Sequence, residues 1–385
     1  MKICAIICEF NPFHNGHKYL LEQAEKLSGC DGVLCIMSGS FTQRGDMCIL
    51  DKFTRAKHAV LGSADCVIEL PVCFSVAPAE IFASGAIKLL SAIPEVTTLA
   101  FGCKNANADG FLNAANLLLS ESEKFKTVLN KKLAEGESYI KSYTAAFIAC
   151  GGDKEILSNP NNILGLEYTK AIMRNRADIK ILPIQRIGAG YNDGEIKENF
   201  SSATAIRQNL NSPKVKENVP DFVAQDLQIN YNLHDFELLL RHSLFLADES
   251  NLKRIYGCGE GLENKLEQLA TLPLSEIISN ATGKRYSSSR IMRILTCNAL
   301  GLYSDDCRKF LDSGLYIKPL AVKADRKDEM LSALGKSNYP VIIKQRDTAK
   351  LNGEAKKCFN LDLNATAIRS LICGKSENDF MLLTI

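Results

Sequence analysis

An apolar run from Lys2 to Cys8 passes without a spacer into Glu9-Phe10-Asn11-Pro12-Phe13-His14-Asn15-Gly16-His17, and from Gly16 to Leu27 the apolar residues take up a helical period. A buried strand, a tight turn and a helix in that order open a parallel α/β unit, in which ligands sit at the carboxyl ends of the strands. Asn11 and Pro12 suit an exit from the strand, and Gly16 lets backbone come close to a ligand. The helix start aims unpaired N–H groups and the positive end of its dipole into the same space. An anion is the natural occupant.

The turn carries the pattern HxGH, with His14 and His17 three residues apart. Both imidazoles can face the anion and stabilise negative charge that shifts during displacement at phosphorus. Two other readings stand beside this one: a pair of metal ligands, or two capping residues without chemistry. A metal usually wants a third ligand, and the chain has only 5 His, the others being His58, His234 and His242.

The alternation of strand and helix continues through the first half. Strands are expected at Lys2 to Cys8, Gly32 to Met37, Cys66 to Leu70, Thr97 to Phe101 and Ile179 to Ile184. Helices are expected at Gly16 to Leu27, Lys52 to Leu61, Pro78 to Ser91, Ala108 to Ser120, Ser138 to Cys150 and Leu164 to Arg174. The pattern predicts an α/β fold with a doubly wound parallel sheet. The polar, proline-containing stretch Asn211 to Pro220 reads as a linker between a first domain, residues 1–212, and a mainly helical domain, residues 221–385. Within the latter a small α/β piece is expected near 316–372, with Pro340 to Lys344 as a strand. The pentapeptide ATAIR occurs at Ala203 to Arg207 and again at Ala365 to Arg369, and with no longer period it reads as coincidence.

Composition narrows the function classes. With 46% hydrophobic and 23% charged residues the chain can bury a core, which excludes disorder over most of its length. Its 46 basic and 44 acidic side chains nearly cancel, so any polyanion site must be local. No apolar run approaches the roughly 20 residues of a membrane span, and the opening run, closed by Glu9, is expected to be a strand and not a signal peptide. The expected location is the cytoplasm, where the 14 cysteines would be free thiols. No CxxC occurs, so they are expected to pack in cores and not to bind zinc.

A second signal is Ser201-Ser-Ala-Thr-Ala-Ile-Arg207. Ser202 or Thr204 can cap the helix that follows, and Arg207 would point back towards its start. Paired with the upstream HxGH, a role at the β- and γ-phosphates of a nucleotide is the reading favoured over capping alone.

HxGH after the first strand, with a late Ser/Thr-x-x-Arg helix start, resembles the nucleotidyltransferase superfamily that includes class I aminoacyl-tRNA synthetases. The superfamily pattern is I-S-S-T-x-I-R; Ser201 stands for its Ile and Ala203 for its second Ser, while Ser202, Thr204, Ile206 and Arg207 fit. The EFNPFHNGH opening, MSGSFTQRGD from Met37 to Asp46, the segments Ala64 to Pro71 and Asn159 to Gly165, and Arg186-Ile-Gly-Ala-Gly-Tyr-Asn-Asp193 together look like the bacterial tRNA(Met) cytidine acetate ligase family. The resemblance covers nearly the whole chain. It implies ATP-dependent N4-acetylation of the wobble cytidine of elongator tRNA(Met), with acetate as acyl source and acetyladenylate as intermediate.

The resemblance places ATP contacts on Ile7-Cys8-Glu9-Phe10-Asn11-Pro12-Phe13-His14-Asn15-Gly16-His17-Lys18-Tyr19-Leu20, Gly102, Asn161 and Arg186, beside Ser202 and Thr204. Taken alone, Gly102, Asn161 and Arg186 read as a turn glycine, a helix cap and a solvated arginine. Gly188-Ala-Gly190 lacks the third glycine and the Lys-Ser/Thr of a phosphate loop and is a decoy. His14, His17 and Arg207 are the expected catalytic residues. A bridging Mg²⁺ suits such chemistry, though no residue identifies its ligands.

A wobble base must be presented from an anticodon loop, which calls for basic surface away from the ATP crevice. Lys284, Arg285, Arg290 and Arg293 supply one such patch, the last two on one helical face. Gln43 and Arg44 with Lys52, Arg55 and Lys57, beside the crevice, are a second candidate. Two alternatives remain at this point: an adenylyltransferase acting on a small phosphate substrate, and a non-catalytic RNA-binding protein that retains a nucleotide pocket.

Overall fold

A computed structural model describes residues 1–187, 196, 199–227, 233–283 and 285–385. Seven strands form one sheet: β1 (Ile3–Cys8), β2 (Gly32–Ser38), β3 (Cys66–Leu70), β4 (Val96–Cys103), β5 (Lys180–Gln185), β6 (Pro319–Val322) and β7 (Leu383–Thr384), in the order β5-β4-β1-β2-β3-β6-β7. Every pairing is parallel except β3 with β6. β2 and β3 are buried at every residue, as continuous apolar runs covered by helices on both faces should be. Along β1 the side chains alternate between two cores, Ile3 and Ala5 in one and Cys4, Ile6 and Cys8 in the other.

The chain leaves β1 towards β2 on one side, while β4 flanks β1 on the other. The order therefore reverses between β1 and β4, and the crevice beyond their carboxyl ends is where an open α/β sheet binds ligands. The helices Asn15–Ser28, Lys52–Leu61, Ala79–Ser91, Ala108–Ser120, Tyr139–Ala149 and Pro160–Arg174 stand where helical period was read. Asn159 caps the last of these and Pro160 occupies its first turn, so it starts four residues before the expected Leu164.

The second half departs from expectation in three places. First, residues 211–220 are not an extended linker: Val215–Asn218 and Asp221–Ala224 are short helices. Val215, Val219 and Val223, spaced four apart across Pro220, are buried in the core that holds Phe13, Phe53 and Val60. Second, the α/β piece near 316–372 is not separate, because β6 pairs with β3 and extends the main sheet. Third, Pro340 to Lys344 is no strand; Val341 makes a single bridge to Ile317. Between these, helices Leu233–Leu246, Leu262–Leu269, Leu274–Ala281 and Ser288–Leu300 form the helical region foreseen. It docks on the turn after β2: Thr296 Oγ1 donates to Gly45 O at 2.7 Å. Gly45 sits at φ 90°, and a Cβ there would lie 2.9 Å from the Arg293 nitrogen, so only glycine admits this approach.

All 14 cysteines are free. No helix among the described residues is long and apolar enough to cross a membrane.

Candidate active site

The turn after β1 is built around its two histidines. His14 is the N-cap of helix Asn15–Ser28, and its Nδ1 accepts from Gly16 N at 3.1 Å. His17 Nδ1 accepts from His14 N at 3.3 Å, closing a capping box with imidazoles in place of hydroxyl and carboxylate. A Cβ on Gly16 would lie 2.9 Å from His14 Cε1, so this glycine makes room for the His14 ring. The two rings stack at 3.6 Å between centroids, 22° apart. Phe10 and Phe13 back His17 at 4.9 and 5.8 Å.

Burial, with Arg186 and Arg207 adding to it, lowers the His14 pKa to about 3. Burial, then His14 and Arg186, holds His17 well below its ordinary value. Both rings are therefore neutral at pH 7. Because Nδ1 is an acceptor in each, the ring proton belongs on Nε2. They are neutral N–H donors, and the charge beside them belongs to arginine.

Arg207 closes this side. It lies on helix Ala203–Gln208, whose N-cap Ser202 accepts from Ala205 N at 3.1 Å. Its Nη1 donates to Asn11 O at 2.7 Å and its Nη2 to Thr204 Oγ1 at 3.3 Å, joining the two motifs across the crevice. Asn15 ties them again, donating to the carbonyls of Asn199 at 3.0 Å and Glu217 at 2.8 Å. On the β4 and β5 side the crevice is lined by Gly102, Asn161 and Arg186. A Cβ on Gly102 would lie 3.1 Å from Arg186 Cγ.

Most of the expected ATP segment lines the crevice, but Pro12, Phe13, Asn15 and Lys18 do not. Phe13 is fully buried behind the turn, and Lys18 pairs on the surface with Glu22 at 3.9 Å. Sequence reading missed the apolar wall, formed by Phe82, Phe101, Leu164 and Tyr168. These side chains stand on helices and a strand that already read as core, so no local signal set them apart. It also missed Asp46.

The turn after β2 roofs the crevice. Gln43 N donates to Glu9 Oε1 at 2.6 Å, and Ile49 N to Asn11 Oδ1 at 2.9 Å. The second basic patch is not a solvated face. Arg55 is fully buried and donates to the carbonyls of Glu9 at 2.7 Å, Ser38 at 3.0 Å, Leu50 at 3.1 Å and Gly39. Lys52 is also fully buried, bound to Glu69 at 2.8 Å, to Thr366 and to Asp379. Lys57 remains at the surface, 2.7 Å from Asp226. Buried cations with buried partners hold the roof in place and are out of reach of a polyanion.

Arg44 alone of those cations lines the crevice. Arg293 Nη1 lies 3.5 Å from Gln43 O; burial lowers its pKa, and Arg290 and Arg44 push in the same direction. Arg290 stacks on Tyr286 at 4.9 Å and donates to Gly257 O at 3.1 Å. Arg293 thus neighbours Gln43 and Arg44, which brings the first patch up to the roof turn that carries the second. Arg285 is exposed. Lys284 and the Gly188-Ala-Gly190 segment lie outside the described residues.

Mg²⁺ usually takes one or two carboxylates and the phosphates of its nucleotide. Among the described residues no three His, Cys, Asp or Glu side chains cluster as a metal cage. Two carboxylates, Glu9 and Asp46, line the crevice.

Comparison with known proteins bears on the family and the fold. A family model described as HIGH Nucleotidyl Transferase matches residues 1–381. A tRNA(Met) cytidine acetate ligase of Caldanaerobacter subterraneus subsp. tengcongensis is 34% identical over 386 residues, covering 96% of this chain and 95% of the relative. One from Clostridium novyi is 34% identical over 390 residues, covering 97% and 96%. The crystal structure of apo Thermotoga maritima TmcAL superposes with a TM-score of 0.92 at 26% identity, covering 100% of both chains. The same protein bound with alpha-thio ATP gives 0.88, also at 26% identity over 100% of both.

Proposed function

Since the chain belongs to the HIGH nucleotidyl transferase family, as a tRNA(Met) cytidine acetate ligase, we propose that its crevice binds ATP across the β1/β4 switch point, with the triphosphate on the opening helix and the adenosine against the wall of Phe82, Phe101, Leu164 and Tyr168. The observation that carries this reading is the pair of neutral imidazole donors stacked at a helix start, with Arg207 bound to the same turn. Neutral rings cost less to bury than charged ones, yet their Nε2–H groups still donate to phosphate oxygens.

Acetate is a poor acyl donor, because its leaving group would be oxide. In the first step its carboxylate oxygen attacks the α-phosphorus in line and pyrophosphate leaves, forming acetyladenylate. His14, His17, Arg186, Arg207 and the helix dipole balance the charge that moves onto the departing oxygens. In the second step the exocyclic amine of the wobble cytidine attacks the acetyl carbon and AMP leaves. Arg44 at the crevice, with Arg285, Arg290 and Arg293, receives the anticodon-loop backbone of elongator tRNA(Met). The reaction is expected in the cytoplasm, with Mg²⁺ held chiefly by the nucleotide's own phosphates if it accompanies ATP.

Acetate-dependent exchange of pyrophosphate into ATP, measured without tRNA, tests the first step. His17→Ala is expected to lower it by about two orders of magnitude or more. Exchange that requires a phosphorylated cosubstrate instead of acetate would favour a small-molecule adenylyltransferase. Unchanged tRNA acetylation by His17→Ala would overturn the catalytic assignment.

A further inference from the structure

Two carboxylates, Glu9 and Asp46, line a crevice otherwise suited to anions. Glu9 is the residue between the end of β1 and the HxGH turn, and it lines the crevice. Its Oε1 accepts from Gln43 N at 2.6 Å, while its Oε2 has no partner among the described residues and is not sealed from solvent. Triphosphate, acetate and acetyladenylate are all anions, so an ionised carboxylate among them is a liability in binding. Burial raises the Glu9 pKa, opposed by the Gln43 N–H and by Arg207 and Arg55, with Asp46 adding to the rise. The thiols of Cys8 and Cys48, held in their neutral form by burial, also feel it.

Its position supplies a use. On one side stands the phosphate machinery of His14, His17 and Arg207; on the other is the roof, where Gln43 leads to Arg44 and the Arg290–Arg293 face. Glu9 thus bridges from the histidine turn to the roof residue Gln43. The cytosine amine is a weak nucleophile, because its lone pair is delocalised into the ring, and it must lose a proton as it is acylated.

We propose that Glu9 is the general base of the transfer step, accepting on Oε2 a proton from the N4 amine of the incoming cytidine. The N4 lone pair forms the C–N bond to the acetyl carbon. The acyl C–O bond to the adenylate phosphate breaks with its electron pair, AMP leaves, and one N4 proton passes to Glu9. The inference rests on the acetate ligase reading and adds a residue role to it.

Glu9→Gln tests it, since an amide oxygen still accepts from Gln43 N but the side chain is no base. Two rates are compared: acetate-dependent pyrophosphate exchange, and single-turnover acetyl transfer from enzyme-bound acetyladenylate to tRNA(Met). Transfer is expected to fall about 100-fold or more beyond any change in exchange. The rise of wild-type transfer with pH, as the carboxyl ionises, should disappear in Glu9→Gln and return with Glu9→Asp. Parallel losses in both rates would overturn the proposal, as would transfer that survives Glu9→Gln. Wild-type protein without acetate-dependent exchange would instead overturn the underlying reading, and the inference with it.

Discussion

At Ala203–Arg207 the sequence Ala-Thr-Ala-Ile-Arg starts a short helix at the crevice, and at Ala365–Arg369 the same five residues lie inside helix Gly353–Cys373. In the first copy Arg207 lines the crevice, held by Asn11 O and Thr204. In the second, Thr366 Oγ1 accepts from Lys52 at 3.0 Å, and Arg369 pairs with buried Glu377 and donates to Cys48 O at 3.4 Å. A helix start leaves donors and side chains free to face a ligand, whereas a helix interior commits them to whatever packs against it. The pentapeptide has no function of its own; its place along the helix and its neighbours assign one.

The comparison predicts opposite failures. Arg369→Ala strands the Glu377 carboxyl, which burial already pushes up, and should cost about 3–5 kcal/mol of stability in denaturant titration. Exchange per folded molecule should stay near wild type, and a loss of stability under about 1 kcal/mol would break the contrast. Arg207→Ala should do the reverse, lowering acetate-dependent exchange by about 10²–10³-fold while shifting stability by only about 1–3 kcal/mol for the two lost hydrogen bonds.

The threonines sharpen the same contrast at lower amplitude. Thr366→Val removes a partner of buried Lys52 and should cost about 1–3 kcal/mol. Thr204→Val should show chiefly as a weaker hold on Arg207, read as a rise in the KM for ATP.

A separate effect is in pH. His14 titrates near 3 in the folded chain against 6.5 when unperturbed, so between these values the unfolded state binds the extra proton. Stability from this group is therefore present above about 6.5 and lost as pH falls towards 3. Melting of the free protein should drop by about a few degrees on acidification through this window. An imidazole Cε1 proton resonance of His14 that titrates at the ordinary value would contradict the burial.

Local pattern made much of the molecule legible. β3, helix Lys52–Leu61 and helix Ala108–Ser120 were bounded to the residue, because their apolar period and caps are written within the segments themselves. HxGH and the Ser202–Arg207 start were recognisable for the same reason. Lys52 and Arg55 misled because a cation on a helix reads as solvated unless its partners are known, and Glu69 and Asp379 lie 17 and 327 residues away from Lys52. Val215, Val219 and Val223 were overlooked because Pro220 hid a stripe spaced four residues apart.

The sequence by itself determined that a strand, a histidine turn and a helix would open a doubly wound sheet, since sterics and hydrophobic period act over a few residues. Only the tertiary structure decided that the imidazoles are neutral and that β6 returns to extend the sheet. It also brought Arg44 and Arg290 near Arg293 and made one ATAIR a crevice wall and the other a buried brace. Charge state and partnership depend on desolvation and on neighbours distant in the chain, and those exist only once it has folded.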